Sequence, residues 1–172
     1  MLNRIQRPAA RVRGLTLIEL MITVAILSVA LSLAAPSVSL QVANHRLQRA
    51  TEGIVTGLSY ARAEAARRNT SVSFTLNAGG AGWAVAQVSP ASTLQQRADG
   101  ETAGISASSS NGSRVVVFMP NGFVDSTGTY LSQVQLSSPV ANTDLRQVDI
   151  FGSGLIRLCD PNLHSVGDPR SC

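Results

Sequence analysis

The sequence has no lysine; all 14 of its basic side chains are arginine. Arg4, Arg7, Arg11 and Arg13 precede the first carboxylate, Glu19, and the remaining 10 arginines are matched by 10 acids. A formal charge near zero from residue 15 onward gives no general attraction for nucleic acid, so any such role must rest on a local patch. Without lysine, Gly79-Gly80-Ala81-Gly82 also fails as a phosphate loop, which would continue into Lys and Ser/Thr. Those glycines read as a hairpin turn. Histidine is nearly as scarce. His45 and His164 are the two present, and neither has a Ser/Asp partner set for nucleophilic or acid–base chemistry. No enzyme activity and no cofactor are expected. The two cysteines, Cys159 and Cys172, lie together at the C-terminus. A metal site built from them and His164 would be one ligand short and would lack the close, paired spacing of zinc centres. No metal is expected, and no internal repeat is evident.

What the chain does have is an apolar run, Leu15–Ala35, with an acid near its start. The run is 21 residues long, about 32 Å of helix, and a bilayer core is roughly 30 Å thick. A carboxylate at the centre of a membrane helix costs roughly 2.5–3.5 kcal/mol, so Glu19 implies a compensating partner or a function. The basic leader should stay cytoplasmic, which places the C-terminal part across the membrane. Two plainer readings compete. A secretory signal has an apolar stretch of about 7–15 residues and a small-residue cleavage site. Leu33-Ala34-Ala35 could serve, but Pro36 follows directly and Glu19 disrupts the stretch. A simple transmembrane anchor leaves Glu19 unexplained.

Behind the arginine leader, Arg13-Gly14-Leu15-Thr16-Leu17-Ile18-Glu19-Leu20 resembles the class III signal of type IV pilins and type II secretion pseudopilins. The resemblance implies that a prepilin peptidase cuts between Gly14 and Leu15, and that Leu15 becomes the N-methylated terminus. Glu19 is then the fifth residue of the mature chain, where the family keeps its glutamate. Pro36 matches the family's proline after the apolar run, while Leu15 stands where phenylalanine is usual. By this resemblance residues 1–14 are a cleaved leader, 15–35 a transmembrane and assembly helix, 36–69 its amphipathic continuation, and 70–172 a periplasmic β domain. The chain would be a single-pass protein of a bacterial inner membrane, taken into a pilus or pseudopilus through helix contacts with other pilins. The compartment beyond that membrane is oxidising, and a disulfide between Cys159 and Cys172 is expected there.

The helical pattern continues past Pro36, which is expected to kink the helix rather than end it. Leu40, Ala43, Leu47, Thr51, Ile54, Leu58, Ala61 and Ala65 fall on one side, with Arg49, Glu52, Tyr60 and Arg67 opposite. Glu64 and Arg68 form an i,i+4 pair. Beyond Asn69 the period becomes two. Strands are expected at 71–76, 83–88, 114–119, 122–124, 133–137, 147–151 and 155–158, with Gly152-Ser153-Gly154 joining the last two. The Ser-, Ala- and Gly-rich stretch 89–113 reads as a long mobile excursion. Asn69-Thr70-Ser71 and Asn111-Gly112-Ser113 match glycosylation acceptors, a weak signal. The expected class is α+β, a long N-terminal helix packed on a small antiparallel sheet whose core the helical stripe completes.

The C-terminal residues Gly154-Leu155-Ile156-Arg157-Leu158-Cys159-Asp160-Pro161 and Asp168-Pro169-Arg170-Ser171-Cys172 resemble the tails of minor pilins of the FimT/FimU group, relatives of the pseudopilin GspH. Tyr60–Ala65 is similar to a segment common in that family. The resemblance implies a minor pilin that primes pilus assembly, or else a GspH-like pseudopilin of a type II secretion system. Some FimT-type pilins bind DNA through Gly-Arg-x-Arg; here the matching residues are Gly154-Leu155-Ile156-Arg157, with leucine in place of the first arginine. Arg146, Arg157 and Arg170 are the candidates for a DNA-binding patch, and ion pairing with Asp149, Asp160 and Asp168 is the competing role.

Overall fold

The structure is a computed structural model that describes residues 16–164, 167–168 and 170–172, with the backbone alone for 33–37. Helix α1 (Leu17–Arg68) comes first. Thr16 caps it: its Oγ1 accepts a hydrogen bond from the Glu19 backbone N–H at 3.2 Å. Thr-x-x-Glu is the capping-box spacing, and it satisfies a donor the first turn would otherwise leave open. The helical backbone continues through Pro36. It closes at Asn69, whose φ is 52°. There Thr70 N–H reaches the Ala65 carbonyl at 3.2 Å and Asn69 N–H the Ala66 carbonyl at 3.4 Å. This is a Schellman closure with asparagine where glycine is usual. Asn69 thereby has a structural role independent of any modification.

The chain divides into two compact units at Val38/Ser39. The second holds the rest of α1 and every strand. The strands are β1 (Val72–Leu76), β2 (Trp83–Gln87), β3 (Ser92–Arg97), β4 (Ser106–Ser109), β5 (Val115–Phe118), β6 (Gln133–Ser137), β7 (Arg146–Ile150) and β8 (Ile156–Cys159). They form two antiparallel sheets of four, ordered β3-β2-β1-β5 and β4-β6-β7-β8. Alternation works as expected in β1, where Val72, Phe74 and Leu76 are buried between half-exposed Ser73 and Thr75.

Two expectations need correction. The stretch 89–113 is not an excursion without structure: it supplies β3, a short 3-10 turn at Asp99–Thr102 and β4. Both strands sit at sheet edges, and β3 contributes no fully buried side chain. A strand held by backbone pairing leaves little hydrophobic period to read. Conversely, 122–124 makes only an isolated bridge, Val124 to Phe118, rather than a strand.

One core serves both sheets. Leu47, Ala50, Ile54, Leu58, Ala61 and Ala65 of α1 pack in a single cluster with residues of β1, β2 and β5 from one sheet and of β4, β6 and β7 from the other. The rings of Phe74 and Trp83 stack at 5.7 Å beneath Gly57, where an added Cβ would lie 2.9 Å from atoms of both rings. Glycine here lets the helix approach the aromatic pair. A second glycine requirement lies at Gly154, whose φ is +77° and whose Cβ would come within 2.0 Å of the Gly122 carbonyl oxygen. That same oxygen accepts a hydrogen bond from Arg62 Nε at 3.1 Å, tying α1 to both loops. The glycine-rich β1–β2 turn does hold an oxyanion, but it belongs to the chain: Asp99 accepts from Gly82 N–H at 2.8 Å and from Asn77 Nδ2 at 3.2 Å. Asn111 likewise ties loops together, donating to the Tyr130 carbonyl and to Ser132 Oγ.

Near the end of α1, Glu64 is largely buried and accepts from Arg67 Nε and Nη2 at 2.8 and 2.7 Å and from Arg68 Nε at 2.6 Å. Hydrogen bonds from Arg67 and then Arg68 lower its pKa from 4.5 to about 2. A depressed carboxylate stabilises the fold above its unfolded pKa and loses that contribution as pH falls through the folded value. Denaturant unfolding of Glu64→Gln should therefore show a flatter pH dependence than wild type between about 4.5 and about 2; parallel curves would remove this network from the acid response. Gly57→Val should cost about 2–3 kcal/mol by overpacking the ring pair. Thr56→Val, on the exposed neighbouring position, should stay within about 0.5 kcal/mol, as surface substitutions usually do.

Candidate functional site

In the first unit, every large apolar side chain from Leu17 to Leu31 is exposed, between 54% at Ile22 and 79% at Leu17. The polar residues among them are satisfied locally. Thr23, Ser28 and Ser32 each donate to a carbonyl one turn back, those of Leu20, Ala25 and Val29, at 2.8 Å. A helix apolar on all sides, with its hydroxyls bonded to its own backbone, suits lipid or the flanks of other apolar helices. Glu19 is the exception. It is exposed, it lies in the first turn where the helix dipole favours an anion, and it has no ion-pair partner among the described residues. Gly14 and Leu15 lie outside the described residues, as does the side chain of Pro36. Among the described residues no helix is long and apolar enough to cross a membrane; the described side chains of the run stop at Ser32, short of its end at Ala35.

The second site is the tail. Cys159 and Cys172 form a disulfide with Cα atoms 5.1 Å apart. Asp149 Oδ2 lies 3.4 Å from Cys159 Sγ, but with both sulfurs joined this cluster has no thiolate to offer a metal. Asp160 N–H donates to the Arg170 carbonyl at 2.7 Å, closing the loop from within.

The three candidate arginines do not share one surface. Arg157 pairs across β7–β8 with Asp149, so it lies on the sheet face of Gln147 and Cys159. Strand parity turns Arg146 to the opposite face, with Val148 and Ile150. Each is also engaged. Arg146 meets Asp144 at 3.0 Å and Arg170 meets Asp168 at 2.9 Å, while Arg157 Nη2 donates to the Ser171 carbonyl. The bond from Arg170 holds the Asp168 carboxyl below its usual range. Leu155, in the position where the DNA-binding motif has its first arginine, is exposed beside Arg62 and Gly122. Arg62, the residue that braces this corner, has no distinguishing signal in the sequence beyond its place in the Tyr60–Ala65 segment.

This architecture has solved counterparts. The type IV minor pilin FimU of Pseudomonas aeruginosa (strain PAO1), in space group P21, superposes with a TM-score of 0.57 at 21% identity, over 66% of this chain and 88% of that one. In space group P65 the TM-score is 0.51 at 20% identity, over 65% and 91%. At such identity the likeness establishes the fold, α+β of the pilin type. No protein of curated function matches the sequence. The prokaryotic N-terminal methylation motif matches residues 9–35, a stretch containing Gly14, Leu15 and Glu19. The description of type II transport protein GspH matches residues 50–154, more than half the chain, from the buried face of α1 to the turn before β8. The chain belongs to the GspH family.

Proposed function

We propose that this protein is a minor type IV pilin of the FimT/FimU kind, which primes pilus assembly or enters the pilus at low copy. The observation that carries the reading is Glu19, a lone carboxylate on a helix segment whose large apolar side chains are all exposed. The precursor is a single-pass protein of the bacterial inner membrane with its two-sheet domain in the periplasm. Prepilin peptidase cuts after Gly14, and Leu15 is N-methylated. The new Leu15 amine of one subunit and the Glu19 carboxylate of another then neutralise each other within the apolar helix bundle. Removing one member of such a buried pair costs roughly 3–5 kcal/mol, because the other is left charged without a partner. Pro36 belongs to the same assembly helix, beyond the apolar run.

A pseudopilus role in type II secretion is the second reading, favoured by the GspH description over residues 50–154. Loss of surface pili in a deletion strain supports the first reading, and loss of protein secretion with pili intact supports the second. DNA uptake is the less favoured use of the tail, since Arg146 and Arg170 are neutralised by neighbouring acids and Arg157 is held by a backbone carbonyl.

Glu19 also takes part in the helix cap, its backbone N–H donating to Thr16 Oγ1, so the assembly role and the cap must be separated. Glutamine keeps the backbone N–H that Thr16 caps, is compatible with the capping-box spacing, and removes the charge. Glu19→Gln should insert in the membrane normally but enter sheared filaments on the order of a hundredfold less, the equivalent of roughly 3 kcal/mol. Immunoblotting of filament and membrane fractions measures both. Normal incorporation would leave Glu19 as a helix cap and no more.

A further inference from the structure

Among the described residues, most arginines are satisfied within the chain: Arg62 by a carbonyl, Arg67 and Arg68 by Glu64, Arg146 and Arg170 by aspartates, Arg157 by the Ser171 carbonyl. Arg46, Arg49 and Arg114 make no hydrogen bond from the guanidinium and no ion pair among those residues. Two of these converge on one place. Arg46 and Arg49, three apart on α1, line a pocket of about 380 Å³ together with Arg97 of β3, Gly100 and Thr102. Glu101 is the single acid in the lining.

Arg97 is drawn tightly onto the helix. Its Nη1 donates to the Arg49 carbonyl at 3.4 Å and lies where a Cβ on Gly53 would be, 1.9 Å from that ideal position. Its Nε is buried without a hydrogen bond. Glu101 Oε2 is 3.3 Å away but off the N–H direction, and its side chain is 62% exposed. Like charges three or four apart on a helix destabilise it, and a third arginine lining the same pocket adds to the cost. One exposed carboxylate does not balance three cations. The pocket therefore fits an oxyanion, and guanidinium forks suit phosphate.

The neighbouring groove narrows the choice of occupant. Arg46 and Ala103 also line a second hollow of about 340 Å³, with Val42, Ile105, Pro139 and Val140. Val42 and Val140 are exposed there at 42% and 37%. Guanidinium groups thus continue directly into an apolar groove. In sequence, Val42 follows the end of the apolar run at Ala35 by roughly two helical turns. We propose that this joined site binds an anionic phospholipid, its phosphate among Arg46, Arg49 and Arg97 and its apolar part along Val42, Pro139 and Val140. The inference concerns the Ser39–Cys172 unit and stands whether the protein serves a pilus or a pseudopilus.

The test uses the full chain in nonionic micelles, titrated with short-chain phosphatidylglycerol, short-chain phosphatidylcholine or inorganic phosphate while thermal unfolding is followed. A ligand that binds only the folded state raises Tm with concentration. The expected result is a rise with phosphatidylglycerol that exceeds the rise with either of the other two at equal concentration. Arg46→Gln and Arg49→Gln should each weaken the apparent affinity about fivefold, the usual worth of one arginine against an anionic lipid surface. Arg114→Gln removes the same charge outside the pocket and should leave the affinity unchanged. An equal rise with phosphatidylcholine or with inorganic phosphate would overturn the lipid assignment. Equal losses in the Arg114, Arg46 and Arg49 variants would reduce the effect to net charge and overturn the site.

Discussion

The structure depends on one face of one helix. Neither four-stranded sheet can bury its inner side chains without the stripe from Leu47 to Ala65, and the stripe has no other apolar surface to cover it. Close approach is what makes this work, and it is achieved by deletion of side chains as much as by their addition. Gly57 admits the Phe74–Trp83 stack, and Gly53 admits Arg97. Gly154 and Gly122 come close enough for Arg62 to hold both loops to the helix. The two halves of α1 therefore solve opposite problems. The second half finds its partner within the chain, while the first leaves its apolar surface to be covered from outside.

Much of this was legible in the sequence because it is periodic. The 3.6-residue stripe of α1 and the two-residue alternation of β1 are direct records of which side faces the core. The end of α1, the β1–β2 turn and the β7–β8 hairpin are marked by residues that suit those backbone conformations. What was illegible buries little: β3 has no fully buried side chain and β4 only Ala107. Strands β3 and β4 are polar edge strands held by main-chain bonds, so no side-chain pattern announces them. The split into two sheets is also invisible locally, since it depends on which strands β1 and β7 pair with rather than on what they contain.

The candidate sites divide the same way. A linear motif needs no fold to be recognised, so the methylation motif matched over residues 9–35 was legible in the sequence. A surface patch is different. Arg146, Arg157 and Arg170 are near one another in the tail's pairing scheme, yet one residue of strand parity puts Arg146 on the opposite face from Arg157. Whether an arginine is free cannot be read from composition either. The chain from residue 15 has equal numbers of arginines and acids, but the pairing is uneven. Glu64 takes two arginines, Asp99 spends its carboxylate on a turn, and among the described residues Arg46, Arg49 and Arg114 are left over.

The pairing also varies along the chain. The GspH description runs from residue 50 to residue 154, and this interval contains nearly all of the core cluster: Ile54, Leu58 and Ala61 on the helix and the inner residues through Ile150. Packing constrains such residues strongly, since a buried site tolerates little change in volume. Arg46 and Arg49 lie just before the interval, and Arg157, Arg170 and the disulfide just after it. The four arginines lie outside the core cluster, whereas Cys159 is buried and loss of its disulfide would cost roughly 2–5 kcal/mol. The family match and these four arginines therefore occupy different stretches of the chain. The helix face decides how the chain packs, and Arg46 and Arg49 take no part in that packing.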